Sequence, residues 1–203
     1  MPWMFVDEAT EDITKMAAMS PSEKSYFETS VLAHAKHRIA WLLILMFSAT
    51  ITGTIITRYE NAFAAIPLLV SFIPMLMDTG GNCGSQSSTL IIRGIALGEI
   101  QFSDLFRVMF KEFRVSLIVG VALALANGIR ILIMYKNAGL ALVIGLSLVA
   151  TIVISKLIGC VLPLIAKKLH MDPAIMASPL ITTLVDTCSI LIYFNIATQV
   201  FQL

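Results

Sequence analysis

Charge is scarce in this chain. Only 13% of its 203 residues are Asp, Glu, Lys or Arg, about half the share in an ordinary soluble domain. That shortage excludes a well-solvated globular surface. A net charge of +1 leaves no electrostatic footprint for nucleic acid or a strongly acidic partner. Cysteine is sparse as well. Cys83, Cys160 and Cys188 lie in apolar or glycine-rich segments without metal-type spacing, which argues against a disulfide framework and predicts small buried packing residues. His34, His37 and His170 fall at segment edges, again without ligand spacing. The first thirty residues are polar and acidic with no apolar core or cleavage site, so no signal peptide is expected. No nucleotide-hydrolysis motif is visible.

Apolar sequence is what the chain has in quantity: 58% hydrophobic residues and a mean hydropathy of +0.88. A helix needs about 20 apolar residues to cross a hydrocarbon core of about 30 Å. Five segments answer that description. They run from Ile39 to Thr57, from Ala62 through a polar, glycine-rich stretch toward Ile92, from Val115 to Tyr135, from Ala138 to Ala166, and from Pro173 to about Phe201. The expected fold is all-α, a polytopic membrane protein of five transmembrane helices spanning 38–203 behind a cytoplasmic stub, 1–37.

Basic residues set the expected orientation. Lys15, Lys24, Lys36, Arg38, Arg93, Arg107, Lys111, Arg114, Lys167 and Lys168 share one side, against Arg58, Arg130 and Lys136 on the other. The N-terminus is therefore expected in the cytoplasm and the C-terminus outside. Within the stub, Ser20-Pro21-Ser22-Glu23 reads as a capping box. It predicts a helix from Pro21 to about His37, either a partner-docking helix or a plain lead-in to the first span.

Against this apolar background, one carboxylate stands out. Asp186 lies inside the last span, where a charged side chain costs about 2.5–3.5 kcal/mol at the bilayer centre on insertion scales. Such a group faces a bundle interior or a wet path. Ser178, Thr182, Asp186, Ser189 and Tyr193 follow helical spacing and share one face. Asp172 reads as a cap, Pro173 as the start of the helix, and Pro179 as a mid-helix interruption that frees a carbonyl. The second span carries Asp78, Gly80, Gly81, Asn82, Gly84, Ser85 and Gln86. Small residues admit close helix approach, and glycine-interrupted apolar segments point to transporter binding sites. Lys156, inside the fourth span, is expected to snorkel. Arg130 is expected at the outer interface.

The candidate ligands are oxygens, which suit Mg, Ca and Mn. Magnesium keeps much of its water and is held by one or two carboxylates. Two chains about a twofold axis would present two copies of Asp186 to such an ion.

At Pro74 to Arg93, with the following GIALGEI, and at Asp172 to Ala197 the chain resembles the MgtE family of magnesium channels and transporters, related to eukaryotic magnesium carriers. Glu28-Thr29-Ser30 fits too. The likeness covers nearly the whole chain. It implies a homodimer in the bacterial inner membrane, not an enzyme, conducting hydrated Mg2+ into the cytoplasm through a central pore. It implies that Asp186 from each subunit holds the ion, with Thr182 and Asn82 as secondary metal residues. Asp78, Gly81, Ser85, Ser178 and Ser189 are the pore-lining candidates. The chain departs from the family pattern at Cys83, where alanine is common, and at Ser85, where asparagine is frequent. Asp7 to Met19 resembles the tail of a cytosolic regulatory module and Pro21 to His37 the family's plug helix, so a truncated form is expected. Two other readings stand beside this one: a Mg2+/H+ or Mg2+/Na+ coupled carrier, and an intramembrane aspartyl protease using Asp78 and Asp186.

Overall fold

A computed structural model describes residues 13–17, 26–176 and 178–202, apart from the side chains of 61–63, 176 and 178. Among the described residues all regular structure is helical. Helix α1 spans Val31–Arg58, α2 Glu60–Ala65, α3 Ile73–Ala96, α4 Leu105–Tyr135, α5 Ala138–Lys168 and α6 Ser178–Phe201. Short 3-10 turns at Pro67–Phe72, Phe102–Asp104 and Pro173–Met176 join them.

Among the described residues four segments are long and apolar enough to cross a membrane: Val31–Arg58, Phe102–Tyr135, Ala138–Lys168 and Pro179–Phe201. Helix α3 has 24 residues, about 36 Å at 1.5 Å per residue, so its length suffices. Its composition does not, because Asp78, Asn82 and the run Ser85-Gln86-Ser87-Ser88-Thr89 interrupt the apolar sequence.

Several boundaries differ from the sequence reading. The second span does not run straight from Ala62. Proline has no N–H to donate and disfavours helix in the residue before it; α2 ends at Ala65, a 3-10 turn begins at Pro67, and α3 starts only at Ile73, one residue before Pro74. Helix α4 begins ten residues before Val115, so Arg107, Lys111, Glu112 and Arg114 belong to a helix and not to a loop. The helix expected over Pro21–His37 is broken: Tyr26–Glu28 form a turn, and Ser30 caps α1 by accepting a hydrogen bond from the Ala33 N–H at 3.3 Å. Ser20–Glu23 and most of the stub lie outside the described residues. The Asp172 cap is present, its Oδ1 accepting from the Ala174 N–H at 2.9 Å.

Helix α5 is central and packs on α3, α4 and α6. Helix α3 fits between α5 and α6, whereas α1 rests chiefly on α6, where Thr52 and Thr187 hydroxyls meet at 2.9 Å. Lipid tails are as apolar as leucine, so close van der Waals packing takes over from the hydrophobic effect in holding such helices together. Gly80 and Gly84 form a small-xxx-small pair on α3. A Cβ on Gly80 would lie 2.8 Å from both Thr151 Cγ2 of α5 and Val185 Cγ1 of α6. Gly159 of α5 sits against the Gly84 backbone, with no room for a Cβ. One core cluster gathers Leu69, Phe72, Leu76, Ile144, Leu148 and Phe194, and a second, at the other end, gathers Ile91, Val108, Cys160 and Leu164. Cys83 and Cys160 are buried, as expected of packing residues, and Cys188 is half-buried.

Candidate cation cleft and a buried polar lock

Helices α3 and α6 enclose a cleft of about 200 Å3 lined by Met77, Asp78, Gly81, Asn82, Thr182 and Asp186. The residues reach it in two matching pairs. Asp78 and Asn82 stand one turn apart on α3, and Thr182 and Asp186 one turn apart on α6; residues four apart share a helix face. Gly81 makes the apposition possible, since a Cβ there would lie 2.9 Å from Thr182 Cγ2. Thr182 and Asp186 are half-buried, while Asp78 and Asn82 are exposed.

Five site residues named from sequence thus meet in one place: Asp186, Thr182, Asn82, Asp78 and Gly81. Others do not join them. Ser189 is buried and donates to the Val185 carbonyl at 2.7 Å, and its Oγ would meet a Cβ on Gly80 at 3.1 Å, so it packs the helix contact. Tyr193, on the same side of α6, is fully buried and donates to the Leu69 carbonyl at 2.8 Å. The polar stripe therefore serves the cleft at one end and the core at the other. Ser85 is half-buried and does not line the cleft. The side chain of Ser178 lies outside the described residues. Pro179 occupies the first turn of α6, where a missing N–H breaks no helical bond, so the expected interruption is absent. Its carbonyl accepts from Thr182 Oγ1 at 3.0 Å and Thr183 Oγ1 at 2.9 Å.

The cleft offers oxygens and no thiolate or imidazole, which matches hard cations. No cluster of three or more His, Cys, Asp and Glu side chains forms among the described residues. Among the described residues neither Asp78 nor Asp186 pairs with a base, and the ion pairs are Lys15–Asp172 and Lys156–Glu112. Two carboxylates with an amide and a hydroxyl suit an ion that retains water.

Lys156 does not snorkel. It is 5% exposed, its Nζ donates to Ser87 Oγ at 3.1 Å, and it lies 3.7 Å from Glu112 Oε2. Ser87 donates to the same Glu112 oxygen at 2.6 Å. Burial penalises a lone ammonium heavily, and the bundle answers with a counter-charge on the neighbouring helix. Sequence reading missed Glu112 because it assigned Phe110-Lys111-Glu112-Phe113-Arg114 to a connection. The available signal was Lys156 itself, a lysine well inside an apolar run. Arg130, placed at the outer interface by sequence, bonds Asn127 Oδ1 at 2.9 Å and lies over the Phe72 ring.

A bundle of long apolar helices enclosing a carboxylate-bearing cleft defines a polytopic helical membrane protein. The chain belongs to the MgtE family: residues 73–196 match the family model described as a divalent cation transporter. It is similar to the magnesium transporter MgtE of Bacillus subtilis, 39% identical over 193 residues. The corresponding proteins of Thermus thermophilus and Enterococcus faecalis are 36% and 33% identical. These alignments cover 95%, 94% and 95% of this chain and 42% of each relative. The chain thus spans about two fifths of the length of the curated relatives it matches.

Proposed function

We propose that this chain conducts hydrated Mg2+ into the cytoplasm through a pore formed by two copies, with α3 as a fifth membrane-crossing helix and the N-terminus cytoplasmic. The observation that carries the reading is the cleft, in which Asp78 and Asp186, unpaired by any base among the described residues, line one small space. Asp78 and Asn82, both exposed, are costly against lipid. A twofold-related copy laid over this face covers them and duplicates Asp186, so the ion meets two such carboxylates while keeping water. Thr182 and Asn82 contribute secondary oxygens, and Gly81 keeps the passage open.

The three relatives are named magnesium transporters, which supports Mg2+ as cargo. An inside-negative potential supplies about 4.6 kcal/mol per 100 mV for a divalent ion, twice the value for one charge. Coupling to a second ion is unnecessary on this account. Planar-bilayer recording of the purified protein, with Mg2+ as sole permeant cation, tests the proposal. A voltage-driven Mg2+ current is expected. Flux that appears only with an imposed proton or sodium gradient contradicts a channel.

A further inference from the structure

A larger cavity lies apart from the ion cleft, at the end of the bundle where basic residues concentrate. It holds about 650 Å3 between the last turns of α3 and the first turns of α4, with Lys156 of α5 in its wall. Its lining is layered along the helices. Glu99 belongs to the α3–α4 connection and Asp104 to the turn that opens α4. Arg93 comes from the last turn of α3, and Arg107 and Lys111 stand one turn apart on α4. Further from the connection are Leu90 and Val115.

Arg93, Arg107 and Lys111 are exposed. Glu112 and Lys156 also border the cavity, but they are buried and face each other, so their charges offset. Three exposed cations then stand against Glu99 and Asp104, whose Oδ2 accepts the Gln101 N–H at 3.0 Å. The surplus is one positive charge.

We propose that this cavity seats an anionic phospholipid with a hydroxyl-bearing headgroup, its phosphodiester held by Arg93, Arg107 and Lys111. Guanidinium forks match phosphate oxygens bidentately, and basic pockets between membrane helices take acidic lipid headgroups. The layering follows the molecule. Headgroup hydroxyls donate to Glu99 and Asp104, the phosphate meets the basic tier, and acyl chains run along Leu90 and Val115, further from the connection. Leu90 is 58% exposed and so is open to an acyl chain. A lipid of charge −1 cancels the surplus, whereas a zwitterionic lipid leaves it. The inference rests on these helices lying in a bilayer and is independent of the ion carried.

Native mass spectrometry of the purified full chain, titrated with phosphatidylglycerol or phosphatidylcholine, tests it. Wild type is expected to hold phosphatidylglycerol on the order of tenfold more tightly. The Arg93→Gln/Arg107→Gln/Lys111→Gln variant loses that preference. Arg58→Gln/Lys136→Gln, which removes charge at the opposite end, keeps it. Equal binding of both lipids by wild type, an undiminished preference in the triple variant, or full displacement by equimolar inorganic phosphate overturns the proposal. Should the triple variant fail to fold, Arg107→Gln alone carries the same comparison, with a partial loss expected and no loss contradicting it. Mg2+ flux is read separately, so a failure here leaves the transport reading standing.

Discussion

Lys156 and Glu112, on adjacent helices, approach to 3.7 Å and share Ser87 between them. The contact ties α3, which carries half of the cleft, to the α4–α5 scaffold. A buried pair of this kind contributes little net stability against an apolar replacement of similar volume, yet breaking it is costly. Lys156→Met therefore strands the Glu112 carboxylate and destabilises by about 3–5 kcal/mol. Lys156→Met/Glu112→Leu recovers most of the loss. Thermal melting in detergent checks this, and a double variant no better than the single one contradicts it.

The glycines separate into two kinds. Gly159→Ala drives a Cβ into the Gly84 backbone, which cannot rotate away, and costs at least about 1–3 kcal/mol as overpacking. Gly53, within α1, has open space around it, with nothing within 4 Å of where a Cβ would stand. Gly53→Ala therefore gains about 0.4–1 kcal/mol by restricting the unfolded chain. Opposite shifts in melting temperature are expected, and shifts of the same sign contradict the packing described.

Much of the molecule was legible in its sequence, for identifiable reasons. Hydropathy located the apolar stretches because the bilayer core excludes charge over a fixed thickness. It did not locate helix ends, since α4 continues ten residues beyond its apolar stretch with Arg107, Lys111 and Arg114 on its surface. Asp186 and Asp78 were visible because each interrupts an apolar run. Their meeting in one cleft follows from the closeness of α3 and α6 at Gly81. Glu112 was hidden among neighbouring basic residues, and only the three-dimensional pairing with Lys156 reveals its role. Helical spacing placed Ser189 and Tyr193 on the Asp186 side of α6 but carried no information on what that side packs against.

Gly81→Ala separates the cleft from the fold. The three atoms nearest its Cβ all belong to Thr182, which lines the cleft. The expected result is a larger fractional loss of Mg2+ flux than of stability, measured by liposome uptake beside melting. Equal flux in variant and wild type contradicts a passage bordered by Gly81.

Asp172 gives the structure a modest acid sensitivity. Burial pushes its carboxyl up, but the Lys15 ammonium at 2.9 Å and the Ala174 N–H outweigh that and hold it below the usual range. A depressed carboxylate stabilises the fold above its unfolded pKa of about 3.9, and that stability is lost as pH falls through the folded value. The pair is partly exposed, so its worth is about 0–1 kcal/mol. Asp172→Asn removes this contribution near neutral pH, and its melting-temperature gap from wild type narrows below about pH 4. A gap constant with pH contradicts the ion pair.

The most direct test of the central claim compares Mg2+ entry into liposomes, under a fixed inside-negative potential, for wild type and Asp186→Ala. The account predicts robust entry for wild type and entry at the level of protein-free liposomes for the variant, with both proteins folded and equally incorporated. Undiminished entry through Asp186→Ala would contradict it.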